Sequence, residues 1–309
     1  MIEEKVIIGE NTEYPLDGIL VLPDKLDKPV PAVVLVHGSG PSDMDESIGK
    51  VKPFKDLAEG LSKIGIAVLR YNKRTFAHKK AFMKNSSNIT VKEETIEDAI
   101  LATDLLRNDC RVDSNNIFII GHSMGGMLAP RIDAEGGNYK GLVILAGSPR
   151  KLEEIMIDQN NELLNSMNKV LQIIAGKQIK KINKKFVNIY NLTDEEAKNS
   201  SITGKYVKAY YFKEMGEHPS PNYLKNLDKP ILIMQGEKDI QVSIEKDFNK
   251  YKDLLKDKDK VTFKLYENLN HAFMPYTYES IKNARKEYSV EKHIENYVIN
   301  DIANWILSN

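Results

Sequence analysis

Gly121 and Gly125 bracket Ser123 in the run Ile119-Ile120-Gly121-His122-Ser123-Met124-Gly125-Gly126, and this run limits the fold more than any other stretch. The residues before it read as a buried strand, and those after it as a helix. A serine between them sits on a sharp strand-to-helix turn, its backbone strained by about 1–3 kcal/mol and its hydroxyl clear of the sheet. A side chain two positions to either side would strike the neighbouring strand or helix, which accounts for glycine at both places. The helix that starts here directs free amides and its positive dipole end toward negative charge developing nearby.

The flanking sequence supplies the layers that such a turn needs. Spans 5–8 and 16–22 read as short strands joined by the turn formers Gly9 and Asn11, an antiparallel edge hairpin. Span 32–36 is a continuous apolar run, the pattern of a strand buried on both faces, and it ends in His37-Gly38-Ser39-Gly40-Pro41. Helical spacing in 54–63, with Phe54, Leu57, Ala58 and Leu61 on one face, is followed by a strand at 66–70. Helix (92–108), strand (116–120), helix (123–135) and strand (141–145) follow in turn. After residue 226 come strands at 231–234 and 261–266, a helix near 243–256, and a last helix that aligns Ile294, Tyr297, Val298, Ile302, Trp305 and Ile306. Strands alternating with helices predict an α/β fold, a mostly parallel twisted sheet with helices on both faces. In 149–226 that alternation stops. Leu152, Ile155, Met156, Leu163, Met167, Val170, Leu171 and Ile174 fall at helical spacing, and Thr193-Asp194-Glu195-Glu196 reads as a helix start. The expected organisation is a core of 1–148 and 227–309 with a helical cap (lid) insertion over 149–226.

A serine hydroxyl is a weak nucleophile and needs a base, which an acid must orient. Asp239 follows the strand at 231–234 directly, and His271 follows the strand ending at Tyr266, so both fall at the sheet end where Ser123 stands. Glu237 shares the loop and is the alternative acid, whereas Asp228 precedes its strand and belongs at the wrong end. His122 lies inside the turn, His37 precedes the glycine-rich loop, His78 and His218 lie in loops, and His293 belongs to a helix or its surface. A tetrahedral intermediate needs preorganised amide donors, each worth about 3 kcal/mol. The amide of Met124 supplies one, and the turn after residue 36 the other, Ser39 first and Gly40 as the alternative. This set calls for neither cofactor nor metal.

Composition narrows the partners. Lysine plus arginine and aspartate plus glutamate both number 44, so there is no overall field to draw in nucleic acid or an anionic membrane. The basic run 177–185 reads as a solvated face of the insertion. Cys110 is the single cysteine and lacks any motif, so no internal disulfide forms. No apolar stretch approaches the ~20 residues needed to span a bilayer, and Met1-Ile2-Glu3-Glu4-Lys5 lacks the basic-then-apolar pattern of a leader. A cytoplasmic protein with a small-molecule substrate is expected, with homo-oligomerisation left open. Pro130 falls within a helix, where the missing amide hydrogen predicts a kink.

These residues also resemble the bacterial carboxylesterase branch of the α/β-hydrolase superfamily, which has an HGSGP oxyanion turn and an acidic stretch after it. Here these are His37–Pro41 and Ser42-Asp43-Met44-Asp45-Glu46, joined by Arg70-Tyr71-Asn72-Lys73-Arg74 and by Met127-Leu128-Ala129-Pro130-Arg131-Ile132. The resemblance covers about 1–148 and 227–309. It implies a serine hydrolase cleaving carboxylic esters through an acyl-enzyme, with Ser123, His271 and Asp239 as its triad. Three positions depart from the group: Met44 replaces arginine, Asn72 aspartate, and Thr75 glycine. Thioester or peptide cleavage would use the same machinery, and a ligand-binding protein without turnover would keep the fold alone. The insertion is rich in Lys, Asn, Gln and Met, and its Leu, Ile, Met and several Tyr (Tyr206, Tyr210, Tyr211) suggest medium-chain or aromatic acyl groups.

Overall fold

The computed structural model describes residues 1–278 and 283–309. Ten strands form in chain order: β1 (Ile2–Ile8), β2 (Leu16–Leu22), β3 (Val30–Val36), β4 (Ala67–Tyr71), β5 (Val112–His122), β6 (Leu142–Leu145), β7 (Ser201–Thr203), β8 (Val207–Lys208), β9 (Ile231–Gly236) and β10 (Val261–Tyr266). Eight of them make one sheet in the order β1-β2-β4-β3-β5-β6-β9-β10. β1 and β2 run antiparallel, as the expected edge hairpin, β2 also meets β4 antiparallel, and the other pairings of this sheet, from β4–β3 to β9–β10, are parallel.

The continuous apolar runs are explained by the two covered faces. Along β3, Ala32, Val34 and Val36 enter one core while Val33 and Leu35 enter the other. β5 divides likewise, with Ile117 and Ile119 on the first side and Phe118 and Ile120 on the second. Successive side chains of a strand point to opposite faces, so burial on both requires apolar residues at every position.

The helices follow as α1 (Pro53–Lys63), α2 (Arg74–Ala77), α3 (Lys79–Lys84), α4 (Glu97–Arg107), α5 (Met124–Ile132), α6 (Leu152–Asn165), α7 (Lys169–Val187), α8 (Asp194–Asn199), α9 (Ala209–Glu217), α10 (Ser220–Asn226), α11 (Asn249–Leu255), α12 (Ala284–Glu287) and α13 (Asn296–Ser308). α1 and α13 pack together on one face, where Phe118 meets Trp305 edge-on at 5.8 Å between ring centres. α4 and α5 cover the other face. Pro130 lies in α5, whose regular turns end two residues later at Ile132 and pass into a wide turn, Asp133–Gly137.

Between β6 and β9 the chain builds α6 to α10. The sequence pattern missed one feature here, the small hairpin β7–β8, whose strands of 3 and 2 residues are too short to leave a periodicity. Thr193 caps α8 with a reciprocal bond to Glu196, the start expected from sequence. The root of this segment is tied by Asp247, fully buried, which accepts from Arg150 Nε at 2.6 Å and from the Ser243 amide at 2.7 Å. Arg150 also reaches Asp158 on α6 at 2.7 Å.

Leu35 is wholly buried at the middle of the sheet. Leu35→Ala should cost about 2–5 kcal/mol, read as a lower denaturant midpoint at an unchanged slope.

Candidate active site

The turn after β5 has the strain that its sequence implied. Ser123 sits at φ 52° and ψ −116°, and its amide donates to the Leu145 carbonyl of β6 at 2.8 Å. A Cβ on residue 125 would lie 2.1 Å from the Val36 carbonyl oxygen, so only glycine lets α5 pack this close to the end of β3. That packing carries the His37–Pro41 loop up to the serine. A Cβ on Gly38 would lie 3.2 Å from Ser123 Cβ. Met124 is the first residue of α5, so its amide has no carbonyl one turn back in the helix.

The Gly38 peptide is gripped from two directions. Its amide donates to Glu46 Oε1 at 2.8 Å, and its carbonyl accepts from Lys73 Nζ at 2.9 Å. In a trans peptide the next N–H points opposite to the carbonyl. Lys73, by fixing the Gly38 oxygen, therefore sets the direction of the Ser39 amide. Lys73 also pairs with Glu94 at 3.4 Å, Glu94 accepts from the Tyr211 hydroxyl, and that hydroxyl lies 3.4 Å from Met124 Sδ. Tyr211 is on α9, so the segment between β6 and β9 is linked to the turn through three side chains.

Asp239 and His271 meet across the loops after β9 and β10. His271 Nδ1 lies 2.7 Å from Asp239 Oδ2, and both side chains are buried. The other carboxylate oxygen of Asp239 accepts from the amides of Gln241 and Val242 at 2.8 and 3.0 Å. Charge-assisted bonds of this kind hold the carboxylate in one orientation. The two loops are joined by Glu237 N to Tyr266 O at 2.8 Å and Lys238 N to Leu269 O at 2.9 Å. Glu237 itself is exposed and Asp228 pairs with Lys260 at 2.9 Å, so neither contacts the histidine. Asn270 Oδ1 accepts from the amides of Ala272 and Met274 and so shapes the His271 loop.

The sequence reading did not assign a role to Glu46. It has a left-handed backbone, φ 51°, and is buried beneath the serine turn. Its Oε2 makes an oblique charge contact with His122 Nδ1 at 2.9 Å, and His122 Nε2 meets the His271 carbonyl oxygen at 3.0 Å. The His122 and His271 rings lie 4.8 Å apart between centres. Burial opposes charge on His122, but Glu46 outweighs it and holds the imidazole above its ordinary value. Burial likewise works against the Glu46 carboxylate, and the His122 charge overcomes that and keeps it below the usual range. His37 behaves differently: burial pushes it down to about 4, so it stays neutral while its Nε2 contacts the Asp43 carbonyl at 3.0 Å. The signal for Glu46 was the crowding of Asp43, Asp45 and Glu46 in one loop, since like charges so close require internal partners. Asp43 accepts from the amides of Asp45 and Ser47, and Asp45 pairs with Arg70 and Lys52.

The remaining candidates lie elsewhere. His78 contacts the Pro15 carbonyl, His218 the Tyr223 hydroxyl, and the exposed His293 contacts Asp56. Cys110 is free and exposed. Of the three departures, Asn72 accepts from the Met44 amide at 2.9 Å and so supports the acidic loop, while Thr75 faces a cleft. That cleft, about 330 Å³, opens beside Ser39–Pro41 and is walled by Phe82, Met83, Ile89, Leu152, Met156 and Phe212. No cluster of side chains able to hold a metal ion occurs among the described residues.

An eight-stranded sheet with this order and a strained serine turn between strand and helix define an α/β-hydrolase. Residues 27–275 match the family described as serine aminopeptidase, S33, and the chain belongs to that family. It is 36% identical to esterase EstD of Thermotoga maritima over 310 residues, covering 99% of this chain and 68% of that protein. Among solved structures, Est1E from Butyrivibrio proteoclasticus superposes with a TM-score of 0.58 at 16% identity, over 99% of both chains. The Pyrococcus furiosus esterase Pf2001 gives 0.57 at 16% identity, over 99% of this chain and 91% of its own. At those identities the two structures share the fold.

Glu46→Gln tests the buried pair. In the wild type the Glu46 contribution to stability is lost as pH falls through its lowered value, and that of His122 as pH rises through its raised one, so the pair stabilises between them. The substitution should lower the His122 titration followed by NMR and flatten both limbs of the stability–pH curve.

Proposed function

We propose that this protein is a carboxylic ester hydrolase working through an acyl-enzyme formed on Ser123. The observation that carries the reading is the buried His271–Asp239 pair, whose imidazole packs against His122, the residue next to the strained serine. In this reading Ser123 Oγ attacks the ester carbonyl while His271 Nε2 takes its proton. Asp239 keeps the Nδ1–H tautomer in place and stabilises the imidazolium. The amides of Met124 and Ser39 bind the oxyanion, the second aimed by Lys73. The proton passes to the leaving alkoxide, and a water activated by His271 then releases the acid. The likeness to esterase EstD supports ester cleavage.

Segment 149–226 serves as a cap over the acyl site. Its Leu152, Met156 and Phe212 wall the apolar cleft together with Phe82 and Met83 of α3. The volume suits a medium-chain or aromatic acyl group. The family description raises a second reading, removal of an N-terminal residue from a peptide. That reaction needs a free carboxylate for the substrate ammonium. Glu94, the one carboxylate among the residues lining the cleft, is already taken by Lys73 and Tyr211, which favours the ester.

Ser123→Ala should abolish both p-nitrophenyl ester hydrolysis and fluorophosphonate labelling, a loss of at least about 10⁴-fold. Persistent turnover in a purified sample would overturn the assignment. With the wild type, kcat/KM should rise from acetate to butyrate or longer esters and exceed that of the matched anilides; a flat profile would argue against the cleft as the acyl pocket.

A further inference from the structure

α7 turns an unusual face to solvent. Its buried side, Gly176, Ile179 and Phe186, packs inward, with Phe186 edge-on to Phe212 at 5.0 Å between ring centres. On the opposite side Val170, Ile173 and Ile174 are 67%, 73% and 70% exposed, although apolar residues of this size at i, i+3 and i+4 normally face a core. Lys177, Lys181 and Lys184 continue the same line along the helix, at the spacing that keeps side chains on one face. α7 carries six lysines and no carboxylate in 19 residues. Among the described residues, Lys169, Lys177, Lys180, Lys181 and Lys184 have no ion-pair partner. Lys181 and Lys184 also line a groove of about 410 Å³ against Ser200–Ile202, whose backbone carbonyls hold Lys185.

From this we infer that α7 is a docking surface for an anionic lipid bilayer, with Val170, Ile173 and Ile174 entering the acyl boundary and the lysine row lying at headgroup level. Among the described residues no helix is long and apolar enough to cross a membrane, so the contact is one of lying on the surface. Charge decides the occupant. A symmetric contact between two copies through α7 would set the lysine row either against itself or against the partner's apolar tip, and neither arrangement pairs the ammonium charges. An acidic macromolecule would pair the lysines but leave the apolar tip in water. An anionic bilayer satisfies both parts, since lysine stems bury along apolar surface while their ammonium groups stay with phosphates. The other side of the same segment walls the apolar cleft, so docking would hold that cleft near a phase in which apolar esters collect.

The test is co-sedimentation of the full chain with vesicles, independent of any ester hydrolysis. Wild type should bind vesicles of phosphatidylglycerol mixed with phosphatidylcholine at least about tenfold more tightly than phosphatidylcholine alone, and less tightly as salt rises. K177E/K181E/K184E should lower that affinity by about a hundredfold. V170S/I173S/I174S should lower it by about tenfold with charge unchanged. Both variants change exposed positions and should keep the wild-type thermal midpoint. Absence of any preference for anionic vesicles overturns the inference. So does a V170S/I173S/I174S variant that binds vesicles as well as wild type while polyglutamate competes fully, which marks an acidic macromolecule as the partner. A wild-type dimer that V170S/I173S/I174S dissociates would equally overturn it in favour of a second copy.

Discussion

Much of this molecule depends on how closely α5 approaches the end of β3. The Val36 carbonyl occupies the space that a methyl on residue 125 would need, so helix and strand meet backbone to backbone. The left-handed backbone of Ser123 is the geometric consequence, and the sheet and α5 on either side hold its strain in place. The same approach brings the loop leaving β3 against the serine. Two elements far apart in sequence thus arrive at one point, where Glu46 of one meets His122 of the other.

What side chains add is direction. Glu46 and Lys73 take opposite ends of the Gly38 residue, one its amide and the other its carbonyl. His122 carries the Glu46 charge on to the carbonyl of His271. Buried charge normally destabilises, so a buried carboxylate beneath a strained turn calls for a compensating partner, and the imidazole supplies it. The result is one continuous polar path from the loop after β3 to the loop after β10. Tyr211 extends a second path, through Glu94 and Lys73, into the segment between β6 and β9.

The legible part of the sequence was whatever depends on periodicity or on a short rigid turn. The runs in β3 and β5 are apolar at every position because both sheet faces are covered, and the turn at Gly121–Gly125 has few backbone solutions. Asp239 and Glu237 could be ranked only by position, because loop geometry separated them: one carboxylate accepts two amides and meets the histidine, while the other faces solvent. Glu46 escaped notice because its charge partner, His122, is close in space through sheet order rather than through any pattern along the chain. The β7–β8 hairpin was too short to register. The lysine run of α7 read as an ordinary solvated face; only the register of the helix puts it in line with Val170, Ile173 and Ile174.

The segment between β6 and β9 leaves and rejoins the sheet at neighbouring positions, with Leu142 opposite Ile231. Parallel neighbours always require a crossover, and α10, packed on α5 and α11, supplies the covering helix such a connection needs. α6 to α9 are therefore an elaboration of a link that the sheet demands in any case. Strand pairing alone sets the register of β6 on β9, so this link can lengthen without shifting the sheet, provided that Tyr211 of α9 keeps its bond to Glu94.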